Sequence, residues 1–363
     1  MGINQYQRWI RHKTNNRNFI NGLRFTTTWR CNSRCTTCSI WKMDDSNDLT
    51  VSEIDKFSKS KYFSKTSYIT LSGGEPTLRN DLPELVTVLH KNIPSAGLNL
   101  TTNGINPERT ERMFREIRKN NPDLRIDLVG LSLNGPKDIH DKTRGIPKNY
   151  EKVLETYDRI KNLVPVAFSF TFCKDNVDYF DWVQDFAEKK GTYAYICWTV
   201  MNQRFQVSDE DLLFWKPGME KVLLRHVDRV YKNKGFLYNL AFLPAYISSS
   251  YLYDSIVNQR LMPCQAGSQI VHVAPEGDIY PCNFKLTPDR ILGNIREDNF
   301  DNIWENISSE ILSEIDSKTC MYPNGLCGDS DILPSIKGNP PELIKWYLAK
   351  YFKREELIQV KDR

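Results

Sequence analysis

An α/β fold is predicted, a partial (β/α)6, TIM-like barrel followed by a small C-terminal domain. Three observations predict it. Short apolar or β-branched runs alternate with helical patterns across residues 22–200, which is the mark of parallel β-α units. About six such units are present, fewer than the eight that close a barrel. From Pro263 to about Ser330 the sequence becomes short, glycine- and proline-punctuated and cysteine-bearing, as expected of a small domain held partly by metal. In a partial barrel, as in an open sheet of this kind, chemistry belongs at the C-terminal ends of the strands.

The elements follow in order. Strands are expected over 23–29, 68–71, 98–102, 126–133, 164–172 and 193–200, where β-branched and aromatic residues cluster. Helices are expected over 81–91, 108–120, 150–163 and 179–190, the first opened by Asp81 as a cap with Pro83 early in the helix. After Val200 the alternation ends. Residues 201–262 read as a helical connection, with Ser208 opening an amphipathic segment, and 341–360 as an amphipathic closing helix. The expected organisation is a basic arm (1–21), the barrel (22–200), the connection (201–262), the cysteine-bearing domain (263–330) and a C-terminal helix (331–363).

Composition narrows the function. The chain has 363 residues, 40% hydrophobic and 26% charged, so it belongs with ordinary globular proteins rather than disordered or fibrous ones. No uninterrupted apolar run reaches membrane length, and the first residues have no apolar core after a basic start, so neither a membrane span nor a secretory signal is expected. Tyr6 stands where N-myristoylation requires Ser or Thr. A net charge of +4 is too mild to imply nucleic acid. Residues 1–42 hold eight Lys and Arg and no Asp or Glu, a charge that suits a neighbouring anionic cofactor. With no export signal expected, a cytoplasmic location is expected, and there nine cysteines serve metal binding or catalysis more readily than a disulfide framework.

Their spacing is informative. Cys31-x3-Cys35-x2-Cys38 follows the first strand, in a loop at its C-terminal end. Three thiolates can hold three irons of a [4Fe-4S] cube and leave the fourth iron open to an outside ligand, an arrangement for chemistry rather than for electron transfer alone. Zinc in a Cys3His site is the alternative. None of the five histidines, His12, His90, His140, His226 and His272, is near the triplet in sequence. The second strand ends in Leu71-Ser-Gly-Gly-Glu-Pro, where Gly73 and Gly74 let backbone polar groups approach a ligand and Pro76 fixes the turn.

With this segment following the cysteine triplet, the sequence resembles the radical S-adenosylmethionine (radical SAM) superfamily. The resemblance implies that Cys31, Cys35 and Cys38 hold the cluster, that its open iron takes the amino and carboxylate groups of SAM, and that Gly73, Gly74, Glu75 and Pro76 hold the SAM amino group. It extends to Thr101-Thr-Asn-Gly, with Asn103, to Leu131-Ser-Leu-Asn-Gly, with Ser132 and Asn134, and to His140-Asp-x-x-Arg-Gly, where Arg144 would grip the SAM carboxylate with the two parallel bonds a guanidinium offers. Two positions depart from the family pattern: Thr37 replaces an aromatic residue before the third cysteine, and Asn134 replaces Asp.

The C-terminal frame Cys264-x17-Cys282, then Leu292-Gly-Asn-Ile and Cys320-x6-Cys327, resembles the auxiliary-cluster domain called SPASM, or its shorter form, twitch. A full SPASM domain has about seven cysteines for two clusters. The four here, Cys264, Cys282, Cys320 and Cys327, imply one auxiliary [4Fe-4S] cluster, with a zinc ribbon as the alternative. Cys173 and Cys197 remain. Alternation along the fifth strand puts Cys173 on one face with Ala167, Ser169 and Thr171, where its thiol could return a hydrogen atom to a substrate radical, although a buried cysteine needs no such reason.

The expected activity is reductive cleavage of SAM to methionine and a 5′-deoxyadenosyl radical, which takes hydrogen from an unactivated carbon of a peptide or protein, with oxidation through the auxiliary cluster. A flavodoxin or ferredoxin would donate the electron. The alternatives are a radical SAM dehydrogenase or epimerase of a sugar or aminocyclitol and, from another class, a non-enzymatic iron-sulfur or zinc scaffold. The scaffold gives no use to Gly73–Pro76 or to Arg144.

Overall fold

The computed structural model describes residues 17–43, 47–173, 175–197, 266–282, 286–308 and 311. The chain divides into two units; one comprises 1–16, 216–265 and 314–363, and the other, 17–215 and 266–313, contains every described residue. The expected connection at 201–262, the C-terminal helix, most of the basic arm and Cys264, Cys320 and Cys327 lie outside the described residues.

All six expected strands form: β1 (Gly22–Thr26), β2 (Tyr68–Ser72), β3 (Gly97–Thr102), β4 (Ile126–Ser132), β5 (Val166–Thr171) and β6 (Ala194–Cys197). Between them lie α1 (Val51–Ser58), α2 (Leu82–Asn92), α3 (Pro107–Asn120), α4 (Lys137–Arg144), α5 (Asn149–Ile160) and α6 (Phe180–Lys189). The sequence reading named α2, α3, α5 and α6. It did not name α1, which a Thr50/Glu53 capping box opens, or α4, which buries only His140 and Thr143 and so shows no apolar stripe.

Residues 266–308 add β7 (Ile270–Val273), β8 (Asp278–Tyr280), β9 (Gly293–Asn294) and the short helix α7 (Phe300–Glu305). These strands continue the barrel sheet, whose order is β6-β5-β4-β3-β2-β1-β7-β8-β9. β7 runs parallel to β1, from Gly22↔Ile270 to Phe25↔Val273, so the parallel layer has a seventh strand; β8 and β9 then pair antiparallel. All four residues of β7 are buried, and the strand covers an edge of β1 that would otherwise leave backbone groups unpaired.

Strand alternation sets the two faces. On β5 and just past its end, Phe168, Phe170 and Phe172 are fully buried; Phe168 packs on Tyr157 of α5 and Phe186 of α6, while Phe170 and Phe172 pack on Phe180. Each such burial is worth about 2–3 kcal/mol. The opposite face carries small polar residues. Thr26, Ser72, Thr101, Ser132, Ser169, Cys197 and His272, from β1 to β7, line a single cavity. In a flat sheet β6 and β7 would stand about 29 Å apart at roughly 4.8 Å per strand step. Sharing one cavity, they show that the sheet curls into a partial barrel.

One expectation is corrected here. Asp81 precedes α2 but its side chain makes no capping bond. Its carboxylate takes two bonds from Arg79, Nε at 2.8 Å and Nη2 at 2.6 Å. The Arg79 side chain is 3% exposed, and a buried guanidinium needs a counter-charge more than a helix end needs a cap.

Candidate active site

The cysteine loop leaves β1 and is held on two sides. On one side Gly74 N–H donates to Thr28 C=O and Glu75 N–H to Arg30 C=O, both at 2.8 Å. A Cβ on Gly73 would overlap the Thr28 carbonyl oxygen and one on Gly74 the Trp29 and Arg30 carbonyls, so only glycine lets these backbones touch. On the other side Arg34 N–H donates to Arg144 C=O at 3.0 Å and Thr36 N–H to Thr143 C=O at 2.9 Å. Gly145, at φ 66°, ends α4 in the left-handed region and leaves room for the Arg34 carbonyl. Trp29, Ile40, Ala274, Tyr280 and Leu286 form an apolar cluster against which Cys31 and Cys38 pack.

Glu75 ties the glycine turn to β3. Its side chain is 1% exposed, and its carboxylate accepts from Thr77 N–H (3.1 Å), Thr77 Oγ1 (2.7 Å), Thr102 Oγ1 (2.7 Å) and Asn103 N–H (2.7 Å). Burial pushes its pKa up, and these donors pull it back. With its lone pairs so engaged, Glu75 shapes the turn, and the Gly73 and Gly74 backbone is left to meet a ligand. Asn103 continues the link: its Nδ2 donates to Asn32 Oδ1 at 2.7 Å and lies 4.0 Å from Cys31 Sγ.

Cys31, Cys35, Cys38, Gly73, Gly74, Glu75, Asn103, Ser132 and Arg144 all line the cavity of about 290 Å³ at the C-terminal ends of the strands. The three cysteines are free thiols. Burial pushes Cys31 up to about 11 and Cys38 up to about 12, so both stay protonated until a metal displaces the proton. Among the described residues no three His, Cys, Asp or Glu side chains are placed to share one metal ion; three thiols around one cavity can each take a different iron of a cube. Arg144 reaches the cavity with a buried Nε that has no hydrogen-bond partner, a donor that fits an incoming carboxylate. The residues present therefore fit a cluster and SAM.

Other sequence-expected residues lie behind the wall. Pro76 is buried at the start of the turn Pro76–Leu78. Asn134 joins β4 to its surroundings: its N–H donates to His140 Nδ1 at 3.0 Å and its Oδ1 accepts from Thr171 N–H at 3.2 Å. Accepting at Nδ1 keeps His140 neutral, and burial, with Arg144 nearby, pushes its pKa down to about 3. Cys173 is not among the cavity-lining residues. β5 ends at Thr171, and the chain enters a turn in which Cys173 N–H donates to Asn176 Oδ1 at 2.8 Å. Cys197, which pairs with Thr171, does line the cavity, and burial pushes it up to about 12. Of the auxiliary cysteines only Cys282 is described; it follows β8 by two residues and is half-buried.

Sequence reasoning missed His272, Thr26, Trp41 and Leu286. His272 is far from the triplet in the chain, but β7 brings it into the same cavity, where its Nε2 lies 3.2 Å from Thr26 Oγ1. The available signal was a single polar residue on the inward side of the apolar run Ile270–Val273.

Comparison with known proteins bears on this geometry. The sequence pattern of the radical SAM superfamily matches residues 25–187, and that of SPASM, an iron-sulfur cluster-binding domain, matches 264–327. The chain is 24% identical over 310 residues to Fe-coproporphyrin III synthase of Methanosarcina barkeri, covering 80% of this chain and 75% of that protein. It is 25% identical over 328 residues to mycofactocin maturase MftC of Mycolicibacterium smegmatis, covering 85% and 76%. Among solved structures, anSMEcpe with bound AdoMet and a peptide superposes with a TM-score of 0.57 at 20% identity, covering 92% of this chain and 99% of that one. SuiB of Streptococcus suis bound to its precursor peptide SuiA superposes at 0.59 with 13% identity, covering 86% and 71%. These two show a shared fold. The two sequence patterns together span the thiol triplet, the glycine turn, Arg144 and all four C-terminal cysteines, and the chain belongs to the radical SAM superfamily, in the group that carries a SPASM domain and with it SAM, a [4Fe-4S] cluster and an auxiliary iron-sulfur cluster.

Proposed function

We propose that this chain is a radical SAM enzyme that oxidises a peptide or protein at an unactivated carbon. The observation that carries the reading is the meeting of three free thiols, the Gly73–Gly74 backbone and the unpartnered Arg144 Nε around one cavity. Cys31, Cys35 and Cys38 would hold the cluster, Gly73 and Gly74 the SAM amino group, and Arg144 the SAM carboxylate. When bound, the cluster and SAM together supply a 5′-deoxyadenosyl radical able to remove hydrogen from carbon. The protein orients the reacting carbon and excludes water, with the apolar layer of Trp29, Ile40 and Leu286 on one side of the cysteine loop. Cys264, Cys282, Cys320 and Cys327 would hold the auxiliary cluster that accepts electrons from the substrate, and a flavodoxin or ferredoxin would supply the first electron.

A peptide substrate is supported by the relatives: one is a maturase that matches over 85% of this chain, and a protein of the same fold is solved with a precursor peptide. The test is anaerobic. Reconstituted protein with SAM and a strong reductant is expected to form 5′-deoxyadenosine, and to remove two hydrogen atoms from peptides encoded beside its gene, read by mass spectrometry. Absence of 5′-deoxyadenosine defeats the enzyme reading. Cleavage coupled to a sugar or aminocyclitol, with every peptide left unchanged, defeats the peptide reading.

A further inference from the structure

The apolar layer beside the cysteine loop has two sources. Trp29 and Ile40 belong to the loop itself, whereas Ala274, Tyr280 and Leu286 come from residues 266–308. Trp29, Ile40 and Leu286 also line the cavity, so the layer is part of its wall. We propose that Glu276, in the turn between β7 and β8, is a positioning residue for the cysteine loop: it holds Trp29 in this wall and so keeps low the reduction potential of the cluster on Cys31, Cys35 and Cys38. The inference goes beyond the peptide reading and rests only on the cluster assignment.

Trp29 is 3% exposed, and an indole buried to that degree needs an acceptor for its N–H. The acceptor is Glu276 Oε2, at 2.8 Å and 247 positions away in the chain. Any large apolar side chain could fill the layer, but an indole with one bonded N–H is fixed in one orientation. Glu276 is itself held. Its C=O accepts from Asn294 Nδ2 at 3.3 Å and from Arg296 Nη1 at 3.4 Å, and the neighbouring Pro275 C=O accepts from Leu49 N–H at 2.7 Å. Trp29 is therefore fixed from outside the loop, by a turn that other strands and loops hold in place. The adjacent link from the loop, Arg30 Nη2 to Asp48 Oδ2 at 3.0 Å, has a half-exposed guanidinium and so contributes little.

Dielectric then links this wall to the potential. A cube on three thiolates becomes more negative when it takes one electron from the donor, and low-dielectric surroundings disfavour the added charge. Water that reaches the cluster relieves that cost. Cys31 and Cys38 pack against the apolar layer, so two of the three ligands depend on it to exclude water. A closed wall keeps the potential low, and loosening Trp29 raises it.

The test is an anaerobic redox titration of the reconstituted full chain, followed by electron paramagnetic resonance. The signal that changes when SAM is added marks the cluster on Cys31, Cys35 and Cys38. Hydrogen–deuterium exchange of peptides covering residues 29–42 reads the loop directly. Glu276→Ala is expected to shift that cluster to a less negative midpoint and to speed exchange in the loop by about tenfold, the size of one hydrogen bond. Trp29→Phe, which keeps a ring but no N–H, should move both readouts the same way. The double variant should move no further than the larger single one, because both changes remove one bond. Glu276→Gln keeps an acceptor for the indole and should stay near wild type. Iron content and circular dichroism report folding, and if Glu276→Ala loses iron, Trp29→Phe and Glu276→Gln carry the comparison. An unchanged midpoint in Glu276→Ala and Trp29→Phe, or additive shifts in the double variant, overturns the inference. A shift in Glu276→Gln as large as that in Glu276→Ala also overturns it, by assigning the effect to charge rather than to the bond. If no signal responds to SAM, the SAM assignment fails, and exchange in the loop still decides whether Glu276 positions it.

Discussion

A buried guanidinium nitrogen without a partner costs stability until something accepts its hydrogen bond, and Arg144 Nε is in that position. The resemblance assigned Arg144 to the SAM carboxylate, and the structure adds the orphaned donor. Lysine at this position would keep the charge but lose the planar fork, so Arg144→Lys should weaken SAM binding by about tenfold or more, measured by equilibrium binding to the reconstituted protein. Unchanged affinity would return Arg144 to a purely structural role. His140 makes a different prediction at the same scale. Its folded pKa of about 3 lies below the ordinary 6.5, so between those values the unfolded chain binds the extra proton. Stability therefore rises with pH across that window and is lost as pH falls through it, by up to about 1.4 kcal/mol per pH unit from this one group. His140→Asn keeps an acceptor for the Asn134 N–H but cannot titrate. Its stability should fall less steeply than wild type from pH 6 toward pH 4, followed by chemical denaturation. Parallel slopes would show that His140 is not the group titrating.

At the scale of elements, the glycine turn depends on Glu75. Four donors converge on its carboxylate, and an amide there would turn an NH2 toward one of them. Glu75→Gln should cost about 2–3 kcal/mol of unfolding free energy. It should also weaken SAM binding, because the Gly73–Gly74 backbone is positioned through this hub; a variant as stable as wild type would show the hub to be dispensable. The strands were legible in the sequence because apolar and small polar residues alternate along them, most clearly in Val166–Thr171. The first two cavity walls were legible because their signals are local: a cysteine spacing and a pair of glycines. α4 was not, since it carries Arg144 on a helix with almost no apolar face. Asp81 met the rule for a helix cap, yet Arg79 claimed it. Cys173 met the rule for strand alternation, yet its strand stops two residues earlier, and Cys197 holds the inward position beside Thr171. Local rules name the candidates, and the competition between partners decides among them.

At the scale of the molecule, what escaped the sequence is the pairing of β7 with β1, which joins residues almost 250 positions apart. No period or spacing encodes such a contact, and it is this contact that places His272 in the cavity and carries β8, with Cys282 just beyond it, on the barrel sheet. The described part of the auxiliary segment is therefore anchored by backbone pairing that does not involve Cys31, Cys35 or Cys38. That arrangement separates the two metal sites experimentally. Seven of the nine cysteines fall into one set of three and one set of four, so anaerobic reconstitution should give about eight irons per chain, four for each cluster. Changing Cys31, Cys35 and Cys38 together to Ala should leave about four irons, because β7 and β8 keep their pairing, and should abolish 5′-deoxyadenosine formation. Cys282→Ala should do the converse, losing the auxiliary irons while SAM cleavage without substrate persists. A wild-type plateau at about four irons, or stoichiometric zinc in place of the second four, would show that the C-terminal cysteines hold no [4Fe-4S] cluster. Loss of all iron in the triple variant would show that the auxiliary site depends on the first, against the anchoring by β7.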